Sequence, residues 1–489
     1  MIPCNSNPIV LRPPPKRPGL PQQLLVRWHV FDRPTRRPTT LEFLAFLYLT
    51  APLIIFFASF ATTMVAGPAL AVILTVLYRA RPRRLSNGIP DPRRVFLCML
   101  TATLFLWACA YLPPFERTWD WTKHFAIINE LAQNSWPPVN EATHTFLRYG
   151  LGFYLIPGLV TAVLGERMIE PAVFLQTWIG LLLVLALLLH KIRPLRPATF
   201  LGVFLLFSGL DLIGWILFSP NRSIFANKEW WTAPNYLFAY EGHATLFLWV
   251  PQHALAGMLG ILLLLPKGDE APPPQMLGLL GAAVAFWSPL VAFGLLPFAI
   301  ELTARSPRAI LTDWGNLLCV LAVYVPLLSY LLAGSGTIEH GFNWSRAGFS
   351  IPRYTTFFML EAGLYLMALR LFGWQHLRYP AIVIGVLLLL PLYRVGIYND
   401  FTMRASIPAL TLIAIAAASA VTDAKGHRWI PLAILLTIGG VTSLLEIMGR
   451  GREGWVPAQT QTLRSGFLFD DPRLFVQYNA PLPNWVLRR

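Results

Sequence analysis

A short polar segment, Trp119-Asp120-Trp121-Thr122-Lys123-His124, follows the third apolar stretch of the chain. Asp120, Lys123 and His124 have i, i+3 and i+4 spacing, so a helix that begins near Asp120 would carry all three side chains on one face. A carboxylate beside two groups that can bind phosphate, with indole rings next to them, suits sugar-phosphate chemistry at a membrane surface. The alternative is an interfacial amphipathic helix whose tryptophans form a belt and whose charges are solvated.

Ionisable residues also occur within or next to later apolar stretches. Such groups are costly inside a membrane, so each position is a functional hypothesis. They fall in the outer half of the predicted bundle, where the longer loops converge. The structural alternatives are an ion pair between the acid at 211 and an arginine, a hydrogen-bonded histidine, and a local i, i+4 salt bridge between positions 400 and 404. The residues concerned are Asp211, His253, Glu361, Arg394, Asp400 and Arg404.

The composition that must position these residues is that of a polytopic helical membrane protein. Mean hydropathy is +0.54, and 55% of the 489 residues are hydrophobic while only 13% are charged. A soluble domain carries about 25% charged residues. The net charge of +15 is concentrated in basic segments before the first and third apolar stretches, which is typical of cytoplasmic loops beside anionic lipid. We find no nucleic-acid-binding module and expect no nucleic-acid partner.

Apolar runs of about 20 residues predict full membrane spans. The stretches 145–165 and 276–303 look partial, because Pro157 interrupts the first and Trp287-Ser288-Pro289 divides the second. We expect 276–303 to form a hairpin of two short helices, which a membrane protein tolerates only when they are buried or line a cavity. The predicted fold class is all-α, a polytopic transmembrane helical bundle of about 11–13 spans with short broken helices and an amphipathic helix in an outer loop. Full spans are predicted at 41–60, 64–79, 95–112, 171–190, 198–218, 244–266, 309–333, 355–372, 379–396, 404–422 and 428–447.

One folded unit accounts for the chain. Residues 1–40 read as a cytoplasmic tail rich in proline and arginine, because they lack the apolar core and cleavage site of a signal peptide. Residues 41–447 form the predicted transmembrane domain, and 448–489 a tail outside the cytoplasm. We expect an integral protein of a bacterial inner membrane. The polar connections predicted on the outer side are 113–145, 219–243, 334–354 and 397–403.

Other motifs add little chemistry. Cys4, Cys98, Cys109 and Cys319 have neither metal-ligand nor disulfide spacing, so buried packing is the expected role. The sequence contains no Gly-rich phosphate loop, HExxH, GxSxG or CxxC motif. Two glycosylation sequons, at Asn221 and at Asn343-Trp344-Ser345, fall in predicted outer loops.

This layout resembles the polytopic C-type glycosyltransferases, which use polyprenyl-phosphate-linked sugars. In that family a cytoplasmic N-terminus precedes a large outer loop, which carries an acidic residue and amphipathic helices on the membrane surface. The matching elements are Asp120 in its motif, the segments 125–131 and 136–138, the proline-containing segment 147–165, and Phe286-Trp287-Ser288-Pro289. The chain departs from the family in two ways: its acid follows the third span instead of the first, and it lacks adjacent acids. The resemblance implies that Asp120 is the catalytic aspartate.

We therefore predict a membrane glycosyltransferase that moves a sugar from a polyprenyl-phosphate-linked donor to an outer-face acceptor. Asp120 is the predicted general base, and positive charge would stabilise the lipid-phosphate leaving group. We predict no metal-ligating residues, and leave a divalent cation open as the cofactor. The expected partners are the lipid-linked donor and membrane lipids. The predicted substrate-binding residues are Lys123, His124, Asp211, His253, Glu361, Arg394, Asp400, Arg404, Trp119 and Trp121.

Two other classes stay open at the level of sequence. A transporter or flippase for lipid-linked or anionic solutes would also place charges at broken helices, although we find no inverted repeat. A non-catalytic subunit of an envelope-polysaccharide assembly is the other class. The enzyme interpretation makes a geometric prediction: the helix after Asp120 must share one pocket with Asp211, His253, Glu361 and Arg404.

Overall fold

The computed structural model is an all-α bundle in which helices form most of the chain. It describes twelve segments, and the structural statements below refer to them. Trp119 and residues 1–36 of the N-terminal tail lie outside these segments. The described residues are 37–83, 91–112, 117–118, 120–140, 144–218, 237–266, 273–305, 307–424, 426–449, 458–461, 478–481 and 484–487.

In the first half of the chain, the described residues form ten α-helices, from 7 to 23 residues long. They are α1 Thr40–Ser59, α2 Thr63–Ala80, α3 Pro92–Ala108, α4 Trp121–Gln133, α5 Leu155–Leu164, α6 Ile169–Lys191, α7 Pro197–Leu205, α8 Asp211–Phe218, α9 His243–Trp249 and α10 Pro251–Leu264.

The second half continues the bundle. Its helices are α11 Leu277–Trp287, α12 Pro289–Arg305, α13 Pro307–Leu311, α14 Trp314–Cys319, α15 Val325–Leu331, α16 Ile351–Phe358, α17 Leu364–Phe372, α18 Pro380–Leu389, α19 Asp400–Ala405, α20 Ile407–Asp423 and α21 Ile430–Met448. Two π-helical turns, Val320–Tyr324 and Met359–Gly363, join α14 to α15 and α16 to α17.

Short antiparallel strands connect loops at one end of the bundle. The strands β1 Val139–Asn140, β2 Thr145–Leu147 and β5 Asn479–Ala480 form one sheet in the order β1-β2-β5, and β3 His340–Phe342 pairs with β4 Tyr393–Val395.

Six of the described helical segments are long and apolar enough to cross a membrane, by length and composition. The chain is therefore a membrane-embedded helical bundle, as its composition predicts. The six segments are Thr40–Ser59, Thr63–Ala80, Glu166–Lys191, Trp314–Thr337, Ile351–Phe372 and Ile430–Met448.

Several predicted full spans are broken, although the sequence predicted interruptions only in the stretches 145–165 and 276–303. The predicted break at Ser288 is confirmed, although α12 has 17 residues and is longer than expected. The predicted span 244–266 divides at Val250, because a residue before proline favours extended backbone and Pro251 then begins α10. The predicted span 198–218 divides between α7 and α8. There the freed backbone finds partners in other elements, since the Leu210 N–H donates to the carbonyl of residue 360.

Described residues from several of the loops predicted on the outer side lie together at one end of the bundle. Residues from 113–145, 334–354, 397–403 and the C-terminal tail line a single cavity there. At the other end, the start of α1 contacts the end of α6 through Glu42 and Lys191. Lys191 also donates to the carbonyl of Leu265, just after α10. The two ends are thus separated by the length of α10, about 20 Å at 1.5 Å per residue.

Helix α4 begins directly after Asp120, as its spacing predicts. Helix α4 is covered by protein on most of its faces: it packs against α5, and Asn129 donates to the backbone carbonyls of Ala458 and Gln461 in the tail. Lys123 and His124 are buried, so these side chains are not solvated, contrary to the alternative interpretation.

Two smaller predictions can also be compared with the structure. Cys98, Cys109 and Cys319 are buried, which agrees with a packing role. Asn343 is fully buried, and its amide donates to the carbonyls of Leu237 and Pro391. This sequon is therefore closed to glycosylation in the folded chain, while Cys4 and Asn221 lie outside the described residues.

Candidate functional site

A cavity of about 240 Å³ lies at the end of the bundle where the loops gather. Three basic side chains, one carboxylate and one imidazole converge on it from four separate parts of the chain. The rest of the wall is largely apolar and aromatic, which is the usual composition of a ligand pocket. The polar members are Lys123, Arg148, His253, Asp400 and Arg404, and the apolar wall includes Val250, Leu290, Leu331, Leu332, Ile338 and Val395.

Two broken helices begin at this cavity. Helix α10 starts at Pro251 and α12 at Pro289, and Val250, Ser288 and Pro289 all line the wall. The first N–H groups of a helix have no partner within the helix and carry partial positive charge. Two such termini therefore add to the positive potential of the basic side chains, an arrangement that favours anions.

Lys123 is held in place by Asp120. Its Nζ lies 2.7 and 2.8 Å from the two carboxylate oxygens of Asp120, and both residues are buried. Burial alone would raise the pKa of the Asp120 carboxyl, but Lys123 and His124 together hold that pKa well below its usual range. Burial opposes the charge of Lys123, yet the neighbouring Asp120 carboxylate keeps the lysine pKa above its ordinary value. The pair is therefore ionised, and Lys123 is the member that reaches the cavity.

His124 is fully buried and does not line the cavity. Its Nε2 lies 2.8 Å from the Trp249 carbonyl oxygen, and its Nδ1 lies 2.7 Å from the Tyr154 hydroxyl. Burial lowers the pKa of His124, which keeps the ring neutral. A carbonyl can only accept, so we assign the proton to Nε2 and let Nδ1 accept from Tyr154. His124 therefore holds α4 against Trp249, the residue before the break at Val250. Its Nε2 also lies 3.5 Å from a carboxylate oxygen of Asp120.

Arg404 enters the cavity from the end of α19. It forms a buried ion pair with Glu241 and a longer contact of 3.6 Å with Asp400, one helical turn earlier. The local i, i+4 salt bridge is therefore present, but it is the weaker of the two contacts. Asp400 lines the cavity, with about 31% of its side chain exposed.

His253 and Ser288 come from the two broken helices and meet at the cavity wall. His253 Nδ1 lies 2.7 Å from Ser288 Oγ, which also accepts the backbone N–H of Val291 in the first turn of α12. The serine is thus an N-cap that ties the start of α12 to α10. His253 is a hydrogen-bonded bundle histidine, as the structural alternative predicts, and it also contacts the cavity.

Among the described residues, the charges around the cavity balance. The three cations are Lys123, Arg148 and Arg404. Asp120 and Glu241 pair with two of them from behind, and Asp400 faces the cavity. Because these side-chain charges balance, the preference for an anion comes from the partial positive charge of the two helix N-termini and from the directions of the N–H donors.

Asp211 and Glu361 do not line this cavity, so the predicted single cluster is only partly formed. Both carboxylates are buried, and α8, which begins at Asp211, packs against the π-helical turn that carries Glu361. The Glu361 carboxylate lies directly against Gly209, where an added Cβ would clash with it. These acids form a second buried region, around the break between α7 and α8.

Arg394 is also outside the cavity. It lies in β4 and donates to Glu339 Oε1 at 2.9 Å. Its neighbour Val395 lines the cavity instead, because successive side chains in a strand point to opposite faces. Asp211 was predicted to pair with Arg394 or Arg404. In the structure, Arg394 pairs with Glu339 and Arg404 pairs with Glu241.

Trp121 is a core residue in this structure. It is fully buried, its Nε1 donates to the Leu248 carbonyl at 2.9 Å, and its ring contacts Tyr111 and Phe125. It does not line the cavity, so no face is presented there to a sugar. Trp119 lies outside the described residues.

The sequence analysis did not predict Arg148, Tyr149, Glu241 or Tyr478 as site residues. Glu241 stands at the edge of an apolar stretch, so the rule that identified Asp400 could have found it. Arg148 and Tyr478 occur in loops where charged and aromatic residues are ordinary. Only the pairing of β2 with β5 brings them together.

The comparisons with known proteins supply no family for this site. Neither the family models, nor the characterised proteins, nor the solved structures contain a match to the chain. Within the described segments, no group of three or more histidine, cysteine and acidic residues is arranged to hold a metal ion.

Proposed function

We propose that the chain transfers a sugar from a polyprenyl-phosphate carrier to an acceptor, at the membrane face where the cavity lies. The observation that carries this proposal is the cavity's composition: cations and two helix N-termini converge on an otherwise apolar wall. A lipid phosphate has the matching chemistry, an anionic group attached to a hydrocarbon chain. Such a substrate resides in the bilayer, where a membrane-embedded helical bundle can bind it.

The cations serve the leaving group. As the bond between the anomeric carbon and the phosphate oxygen breaks, its electron pair moves onto that oxygen. Lys123 and Arg404 are placed to stabilise the added negative charge, because N–H donors fixed beforehand need no reorganisation during the reaction. Asp120 and Glu241 hold these two side chains in position from behind.

Asp400 is the carboxylate best placed to act as base. It lines the cavity, whereas both oxygens of Asp120 are occupied by Lys123. A carboxylate whose pKa is held low is also a weak base. We therefore assign the acceptor proton to Asp400: the acceptor oxygen attacks the anomeric carbon with inversion as its proton moves to this carboxylate. Asp120, which the sequence suggested as the base, is instead assigned the role of positioning Lys123.

A transport function is the second candidate, because broken helices that begin at a binding cavity are also found in transporters. Purified protein in proteoliposomes, supplied with a labelled polyprenyl-phosphate hexose and a panel of sugar and lipid acceptors, separates the two. We expect glycosylated product with the label released from its carrier. Movement of intact donor between leaflets without product would contradict the transferase proposal and favour the flippase.

A further inference from the structure

The described residues of the C-terminal tail are docked onto the cavity end of the bundle. The backbone N–H of Arg148 donates to the backbone carbonyl of Tyr478 at 2.6 Å, and β5 continues the sheet beside β2. Farther along, Thr62 binds the backbone carbonyls of Trp485 and Val486. Earlier in the tail, Ala458 and Gln461 accept from α4. The tail is therefore attached on both sides of Tyr478.

Docking places the Tyr478 side chain in the cavity wall. Its ring packs on Tyr149 with centroids 4.9 Å apart, and the residue is buried. Burial raises the pKa of the Tyr478 phenol well above its ordinary value, and Asp120 and Asp400 raise it further while Lys123 opposes them. The phenol thus stays protonated at physiological pH, close enough to the site's charged groups to interact with them.

A neutral O–H donor is useful in a site whose charges already balance. Another cation would leave the empty site with an unpaired buried charge, which is costly. A phenol adds a directional donor without adding charge, and a hydrogen bond from it to an anion is stronger than one to a neutral acceptor. The rigid, stacked ring also loses little freedom when it binds.

We propose that Tyr478 is a phosphate-binding residue of the site, contributed by the C-terminal tail, and that its hydroxyl donates to the anionic group of the substrate. This inference rests on the proposed function for the identity of the substrate, a lipid phosphate. It goes further in making the tail a part of the binding site.

The test compares Tyr478→Phe, which keeps the stacked ring, with wild-type protein. Tyr354→Phe is the matched control, because the Tyr354 hydroxyl donates to the Leu388 carbonyl away from the cavity. Binding of farnesyl phosphate, inorganic phosphate and neutral farnesol is measured on full-length protein in nanodiscs, with thermal unfolding of each variant. We expect Tyr478→Phe to weaken the binding of both phosphate probes about tenfold. Its farnesol binding and its thermal unfolding should be unchanged, and Tyr354→Phe should leave phosphate binding unchanged.

Each outcome decides at least one of the two proposals. If Tyr478→Phe binds both phosphate probes as tightly as wild type does, the Tyr478 assignment is wrong. It is also wrong if the variant loses as much affinity for farnesol as for the phosphate probes. If wild type binds inorganic phosphate but not farnesyl phosphate, the lipid donor is wrong, and the variant's affinity for inorganic phosphate still tests Tyr478. If wild type binds neither phosphate probe, both proposals fail.

Discussion

Two buried lysine–carboxylate pairs lie at opposite ends of the bundle, and they differ in one respect. In each pair the shortest N···O distance is 2.7 Å, between Lys123 and Asp120 at the cavity and between Lys191 and Glu42 at the other end. Glu42 also accepts from the cap of α1, and Lys191 also donates to a backbone carbonyl. Lys123 instead reaches a cavity. Burial and pairing are thus shared by a structural pair and a candidate site, and access to a ligand separates them.

The largest expected effect concerns the two carboxylates near the cavity. If Asp400 is the base, Asp400→Asn should lower the rate of sugar transfer by about 10³-fold, within the range typical of general-base catalysis. Donor binding should change little, because Asp400 receives the acceptor's proton. The measurement is kcat and KM in the proteoliposome assay.

Asp423→Asn is the matched control for that variant, since Asp423 is an acid at the far end of α20 and lies outside the cavity. Full transfer by Asp400→Asn would show that Asp400 is not the base and would return that role to Asp120.

The two lysines provide the next test. Lys123→Met and Lys191→Met should each lower the free energy of unfolding by about 3–5 kcal/mol, because each leaves a buried carboxylate without its partner. Lys123→Met should also weaken the binding of farnesyl phosphate about 100-fold, whereas Lys191→Met should leave this binding unchanged. Binding isotherms and denaturant titrations of both variants measure the two effects. Equal loss of binding in both would mean that instability, and not the cavity, controls affinity.

A pH series sharpens the same comparison. The folded-state pKa of Asp120 is lowered by Lys123 and His124, so the pair's contribution to stability is complete above the unfolded carboxyl pKa of about 4 and is lost as pH falls further. The difference in unfolding free energy between wild type and Asp120→Asn should be largest at neutral pH and shrink below pH of about 4. Glu301→Gln, in an exposed pair with Arg305, should show a small difference throughout. A difference that grows in acid would show that the Asp120 pKa is raised.

The smallest effect is expected at Trp121. Trp121→Phe removes the indole hydrogen bond to the Leu248 carbonyl and should lower the free energy of unfolding by about 1 kcal/mol, as for a typical buried hydrogen bond. Thermal unfolding measures this. A variant of unchanged stability but raised KM would instead support the sequence-based role of Trp121 in stacking on sugar.

The fold class was predictable because it depends on composition and long apolar runs, which a single sequence displays. The spacing of Asp120, Lys123 and His124 also predicted a helix starting where α4 starts. It did not predict which side chains face the cavity, because α4 is covered by protein and its partners come from distant loops. Lys123 reaches the site, while His124 points to Tyr154 and Trp249.

Broken helices were harder to locate. Proline marks the breaks at Pro251 and Pro289, and the sequence analysis used that signal only at the second. The break between α7 and α8 has no proline. It depends on backbone partners from α9 and from residue 360, which no local pattern reveals. Asp211 and Glu361 were grouped with the site because depth in a span was the only guide, and depth does not specify the direction of a side chain.

The docked C-terminus has a practical consequence for anyone who labels this protein. Leu487 pairs with Ala61, so an affinity tag or fluorescent reporter fused directly after this segment would disturb the docked residues that carry Tyr478. The turn at 426–428 is exposed and follows α20, a helix of 17 residues whose length of about 25 Å separates that turn from Arg404. A tag inserted in this turn should report on location and orientation while leaving the cavity as it is.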